Sequence, residues 1–222
     1  MSRFFDPQRP NQKRPDPQQT DPRLYAPATA RNREVLLDVF RTHLPRDGTL
    51  VEVASGTGEH AAHMASHLHP LIWQPTDIEP DKLDSINAWA EKSGAKNILP
   101  AVHMNVFEDQ FSDLAVPAPI SAIAAINLIH IAPWRVADAL VRGASATLDA
   151  GGILFLYGPY RRGGAHTSPS NESFDASLRS RDSSWGVRDL EAVADLATDH
   201  GFSDPTIVEM PANNLSLVFK RQ

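Results

Sequence analysis

The sequence predicts an α/β fold: a mostly parallel sheet with helices on both faces, closed by a C-terminal antiparallel hairpin. Three observations carry this. Apolar, β-rich runs at 49–54, 71–76, 97–103, 121–129 and 152–157 alternate with helix-like segments, which implies right-handed crossovers between parallel strands. The run SAIAAINLI at 121–129 is apolar almost throughout, as a strand covered on both faces should be. Near the C-terminus the alternation breaks, and the β-rich stretches TIVEM and LSLVFK are joined only by PANN, a hairpin pattern.

Taken in order, residues 1–28 are rich in Pro and Gln and poor in apolar side chains. Such a composition buries too little surface to offset ordering entropy, so this stretch reads as an arm outside a single domain at 29–222. From Ala30, the positions Val35, Leu36, Val39, Phe40 and Leu44 recur with helical spacing until Pro45 and Gly48 stop the run. A helix therefore precedes the first strand. The strand at 49–54 enters a glycine loop and the helix EHAAHMASHLH, and the next strand ends beside Asp77. Beyond the fifth strand, residues 160–186 form a long polar insertion containing Gly163, Gly164 and several aromatics, which reads as a lid. A helix at 187–200 and the hairpin complete the chain.

The length of 222 residues suits one well-filled domain. A formal charge of −6 with scattered bases offers no broad basic surface, so no nucleic-acid or anionic-membrane partner is expected and a small-molecule substrate is. With no cysteine, disulfides and thiolate metal ligands are excluded. MSRFFDPQRP has no apolar signal region and no apolar run reaches membrane-spanning length, so a cytoplasmic protein without a membrane partner is expected.

The chemistry lies in VEVASGTGEH, residues 51–60. Gly56, Gly58 and Ala61 fit the dinucleotide pattern G-x-G-x-x-G/A, yet the same letters fit a loop that holds S-adenosylmethionine. Glycines here let the backbone bend and approach a ligand. Asp77, 19 residues beyond Gly58, could accept hydrogen bonds from ribose hydroxyls with either cofactor. Four features favour S-adenosylmethionine: acidic Glu52 within the first strand, able to face a cationic amino group; the helix before that strand; the lack of a Tyr-x-x-x-Lys pair; and the terminal hairpin.

On these residues the sequence resembles the class I S-adenosylmethionine-dependent methyltransferases, whose sheet is seven-stranded and Rossmann-like. VEVASGTG looks like their first motif, PTDIE their second, HMNVFED and INLIHI their third and fourth. More narrowly, ARNREVLL, ASGTGEH, NESFDASLRSRDSSWGVRDLE and MPANNLSLVFKR resemble the family that includes methyltransferase-like protein 26. Ala54 departs from the class pattern, which has a glycine there.

The resemblance implies cofactor contacts at Glu52, Ala54, Ser55, Gly56, Gly58 and Asp77. It further implies Asn105 near the adenine amino group, Val106 against the purine, and Asn127 near the methionine part. Arg31 and Asn32 belong to a segment that folds over the cofactor, with Arg31 suited to the methionine carboxylate. His130, just beyond the fourth strand, is the candidate base. Tyr160, Arg161, Asn171, Phe174, Arg179 and Trp185 are the acceptor-binding candidates of the lid. Each has a plainer reading: the glycines as a turn, Asp77 as a helix cap, Asn105 in an Asx-turn, His130 as a packed side chain. His60, His63 and His67 share one helical stripe but lack companion carboxylates at ligand spacing, so no metal is expected. A non-catalytic cofactor-binding module and an NAD-linked oxidoreductase remain as alternatives.

Overall fold

A computed structural model describes residues 21–222. Helix α1 spans Pro27–His43, starting on a proline whose fixed φ suits a first turn. It is followed by β1 (Thr49–Val53), α2 (Glu59–His67), β2 (Ile72–Asp77), α3 (Pro80–Ser93), β3 (Val102–His103), β4 (Ile120–Ile126), α4 (Trp134–Thr147) and β5 (Ile153–Arg162). The chain then forms β6 (Ala165–His166), α5 (Pro169–Arg181), β7 (Arg188–Asp189), α6 (Leu190–Asp199), β8 (Thr206–Met210) and β9 (Asn214–Lys220).

The main sheet has the order β3-β2-β1-β4-β5-β9-β8, with β6 and β7 pairing only with β5. β1 to β5 run parallel, and β9 is antiparallel to both β5 and β8. This is the expected mostly parallel sheet with its antiparallel C-terminal hairpin. The order reverses direction at β1 and β4, and open α/β sheets open a crevice at such a switch point.

Alternation along the central strands explains the apolar runs. Ile123, Ala125, Leu154 and Leu156 face one buried cluster with α4 and α6, whereas Ala122, Ala124, Ile153 and Phe155 face a second with α1 and α2. Both faces are dry, so polar positions have nowhere to point.

Several element ends differ from the sequence expectation. The third strand is two residues long, because its expected first part makes only an isolated bridge, Trp73 to Ile98, and Pro100 has no amide to donate. The fourth strand stops at Ile126, where Asn127 turns to φ 58. The fifth runs on to Arg162. Of the arm expected over 1–28, residues 1–20 lie outside the described residues. Residues 21–28 run onto the domain: the Leu24 amide donates to Ser85 Oγ (2.8 Å), the Ala26 amide to Glu59 Oε2 (2.6 Å) and Trp89 Nε1 to the Leu24 carbonyl (2.9 Å). The insertion at 160–186 is the β5–β6 corner followed by α5. Among the described residues no helix is long and apolar enough to cross a membrane.

Candidate functional site

Three adjoining cavities lie beyond the C-terminal ends of β1, β2 and β4. The first, about 300 Å³, is lined by Glu52, Ser55, Gly56, Thr57, His60 and Asn127, with Ala26, Ala28 and Thr29 closing it from the N-terminal segment. The second, about 180 Å³ and apolar, is lined by Ile78, Met104, Asn105, Val106 and Phe107, and shares Ala54 and Leu128 with the first. The third, about 560 Å³, holds Arg31, Asn32, His130, Tyr157, Asn171 and Phe174, and shares Ala28, Asn127 and Ile131 with the first.

The glycine loop has the geometry its letters require. Gly56 and Gly58 sit at φ 61 and 87, and a Cβ on Gly58 would lie 2.5 Å from the Cα of Ile86, against the α3 backbone. Only glycine fits there. Ala54 also adopts the left-handed region, φ 55, where the class pattern has glycine. The loop survives the methyl group, at the cost of local strain.

Glu52 is 1 % exposed, and Trp73 Nε1 donates to its Oε2 at 3.0 Å. Burial pushes its carboxyl up to about 7, since the charged form loses its water. Asp77, at the end of β2, accepts the Gly56 amide on Oδ2 (2.9 Å) and the Glu79 amide on Oδ1 (3.0 Å). Its carboxylate thus ties the glycine loop to β2 and braces the turn that leads into α3. Asp77 itself is 5 % exposed and lines none of the three cavities, whereas the Gly56 it holds lines the first. Asn105 forms an Asx-turn, with its Oδ1 accepting the Phe107 amide at 3.1 Å, while its side of the loop still lines the second cavity.

His130 is 2 % exposed, and its Nδ1 has no hydrogen-bond partner among the described residues. Gly158 makes room for it: a Cβ there would lie 2.7 Å from the ring Cε1. The edge of Phe174 meets the ring with centroids 5.8 Å apart. Burial, helped by the charge of Arg188, lowers its pKa to about 4, so the imidazole is neutral at physiological pH. The backbone around it is clamped by the insertion, because the Gly186 amide donates to the His130 carbonyl (2.9 Å) and Arg188 to the carbonyls of Ile129 (2.9 Å) and Ala132 (2.6 Å).

The lid candidates divide. Asn171 and Phe174, on α5, line the third cavity. Tyr160, Arg161, Arg179 and Trp185 line none of the three cavities: Tyr160 is buried in the core, Arg161 pairs with Asp189, Arg179 with Asp175, and Trp185 stacks under Arg181. The strand alternation explains Tyr160. Tyr157 on β5 reaches the cavity instead, and its neighbour three residues on packs on the other face. Arg31 lines the third cavity, not the one that holds Glu52.

His60 escaped the sequence reading as a site residue. It turns inward from α2 while His63 and His67 stack outside, with ring centroids 4.6 Å apart. Its Nε2 lies 2.9 Å from Asn32 Oδ1, joining α2 to α1 between the first and third cavities, and burial lowers its pKa to about 4. The signal was available: Asn32 and His60 are polar residues on the buried faces of two adjacent helices.

The family model described as "Protein of unknown function (DUF938)" matches residues 23–221. The chain belongs to this DUF938 family. Solved structures share the fold of this chain. Similar to it are a putative O-methyltransferase from Nostoc punctiforme (TM-score 0.74, 13 % identity, 87 % of this chain and 56 % of that one) and an O-methyltransferase family 2 protein from Planctomyces limnophilus in complex with apigenin (0.70, 17 %, 88 % and 60 %). Human N-acetylserotonin methyltransferase in complex with SAM is a third (0.69, 14 %, 87 % and 52 %). The fold is therefore that of the Rossmann-like methyltransferases, and the chain spans between half and three fifths of the length of these neighbours.

Proposed function

We propose that this chain is an S-adenosylmethionine-dependent methyltransferase acting on the hydroxyl of a small molecule. The carrying observation is Glu52: a buried carboxyl whose side-chain donors, Trp73 and Ser55, are both neutral, at the wall of a cavity beside a glycine loop. A carboxyl held near neutral pKa by burial is stabilised as an anion by an incoming ammonium, which suits the amino group of the methionine part. The apolar second cavity, lined by Val106 and Phe107, suits a purine, and Asp77 holds the glycine loop that lines the first cavity beside it. Kinship with the family that includes methyltransferase-like protein 26, and a cytoplasmic location, belong to the same reading.

Bound S-adenosylmethionine would supply an electrophilic sulfonium methyl group for the acceptor oxygen, with the thioether as leaving group. The protein's own part is then alignment and exclusion of water. Asn127 and Ile131, shared by the first and third cavities, set the junction at which an acceptor must lie. Neutral His130 takes the proton of the attacking hydroxyl, and the α5 helix carrying Asn171 and Phe174 covers the acceptor. Incubation with S-adenosylmethionine and a panel of small hydroxylated acceptors tests this. The expected result is acceptor-dependent release of S-adenosylhomocysteine, abolished in His130→Ala; cofactor binding without release for any acceptor would favour a non-catalytic binding module.

A further inference from the structure

The third cavity carries a charge pattern that methyl transfer alone does not require. The chain has a formal charge of −6, yet no Asp or Glu lines this cavity and Arg31 is its one formally charged residue. Two helices open their N-terminal turns on it. Ala28, Arg31 and Asn32 come from the start of α1, and Ser170, Asn171 and Phe174 from the start of α5. At 17 and 13 residues, both helices are long enough to present a partial positive charge at that end. The first turn of α1 contains no acidic residue of its own, although the Glu59 carboxylate accepts the amide of its N-cap Ala26, and α5 is capped by Ser168 Oγ and carries exposed Glu172; neither glutamate lines the cavity.

The remaining lining completes the description. Ile131, Phe174, Pro159 and Pro211 give apolar walls, and the volume of about 560 Å³ suits a ring-sized molecule. Buried His130 also lines the cavity, with its Nδ1 on the side packed against Gly158. A cationic acceptor would meet the Arg31 guanidinium with no carboxylate in the lining to pair with.

Resting on the methyltransferase reading, we propose that the acceptor is a small organic monoanion. It carries a carboxylate on an aromatic or similarly apolar frame, oriented toward Arg31 and the N-termini of α1 and α5, with its hydroxyl toward His130. Arg31 is then a specificity residue of the acceptor site, its fork matched to a carboxylate.

The test is calorimetry on the full chain saturated with S-adenosylhomocysteine, titrated with 3- and 4-hydroxybenzoate and 4-hydroxyphenylacetate, with their methyl esters, and with tyramine. At least one acid should bind, and more tightly than its ester or tyramine. Arg31→Ala should weaken that acid by about tenfold, as for a lost charge-assisted hydrogen bond. It should leave ester binding and S-adenosylhomocysteine affinity within about twofold, and Arg31→Lys should recover part of the loss. Esters or tyramine binding as well as the acids, or no acid binding to the loaded protein, would overturn the proposal. So would Arg31→Ala weakening S-adenosylhomocysteine itself, which would return Arg31 to the cofactor. Failure of the wild-type protein to bind S-adenosylhomocysteine at all would overturn the underlying methyltransferase reading, and is seen before any acid is added.

Discussion

Trp73 Nε1 donates a hydrogen bond to Glu52 Oε2 at 3.0 Å, inside a part of the sheet where both side chains are closed to solvent. Neutral donors, Trp73 and Ser55, compensate a buried carboxylate only in part, which is why burial lifts its pKa to about 7. The free protein therefore holds a proton near neutrality that a bound ammonium would displace. Cofactor affinity should rise with pH from 5.5 to 8, with net proton release, measurable by calorimetry in buffers of different ionisation enthalpy.

The same shift governs stability. A carboxyl whose folded pKa lies above its unfolded value binds more protons when folded, so its penalty is absent below about 4.5 and accrues as pH rises to about 7. Glu52→Gln, which keeps an acceptor for Trp73, should stabilise the free protein by roughly 1–3 kcal/mol at pH 8 and much less at pH 4. It should also weaken cofactor binding at least tenfold, a combination that urea unfolding and calorimetry together detect.

Ala54 stands at φ 55, and a left-handed alanine costs about 1 kcal/mol. Ala54→Gly should raise stability by about 0.5 kcal/mol after the extra chain entropy of glycine, without weakening the cofactor. Ala54→Val should lower stability by about 2 kcal/mol or more, because a β-branched side chain tolerates that region poorly. Unfolding midpoints in urea are the measurement.

Gly158 gives His130 its place, and a methyl group there would press on Cε1 and Nδ1 at 2.7 and 2.8 Å. Gly158→Ala should reduce kcat/KM by roughly 10- to 100-fold through a misplaced imidazole, while S-adenosylhomocysteine affinity stays within about twofold. A parallel loss of cofactor affinity would show that the loop, not the ring, had moved.

Arg188 ties the insertion to the loop after β4 through the carbonyls of Ile129, Ala132 and Ser184. Arg188→Ala should cost about 2–4 kcal/mol of stability. Arg188→Lys, unable to span these carbonyls, should lower kcat more than it changes cofactor affinity. Removing the guanidinium also removes a charge that lowers the His130 pKa, so the acid limb of kcat/KM, expected near pH 4 in the wild type, should move upward.

How much the sequence revealed depended on whether one position or a long-range approach set the outcome. The alternating apolar runs, the helix before β1 and the terminal hairpin were legible because their periods reflect burial on one or two faces. Gly58 was legible as a loop residue, but the reason for it, contact with Ile86, comes from a helix 28 residues away. Tyr160 and Tyr157 look alike in the sequence, and only the pleat of β5 decides that Tyr157 reaches the cavity. The resemblance pairs Arg31 with the cofactor carboxylate, and only the course of α1 shows which cavity it lines, the third. The Asn32–His60 contact between α1 and α2 depends on helix packing that no local pattern encodes.

The central claim is that the glycine loop and Glu52 hold S-adenosylmethionine, and the most direct measurement is a calorimetric titration of S-adenosylhomocysteine into the full chain at pH 7.5. The account predicts saturable one-to-one binding that weakens at least tenfold in Glu52→Gln. A well-folded wild-type protein that gives no binding, or a Glu52→Gln variant that binds as tightly as wild type, would contradict it.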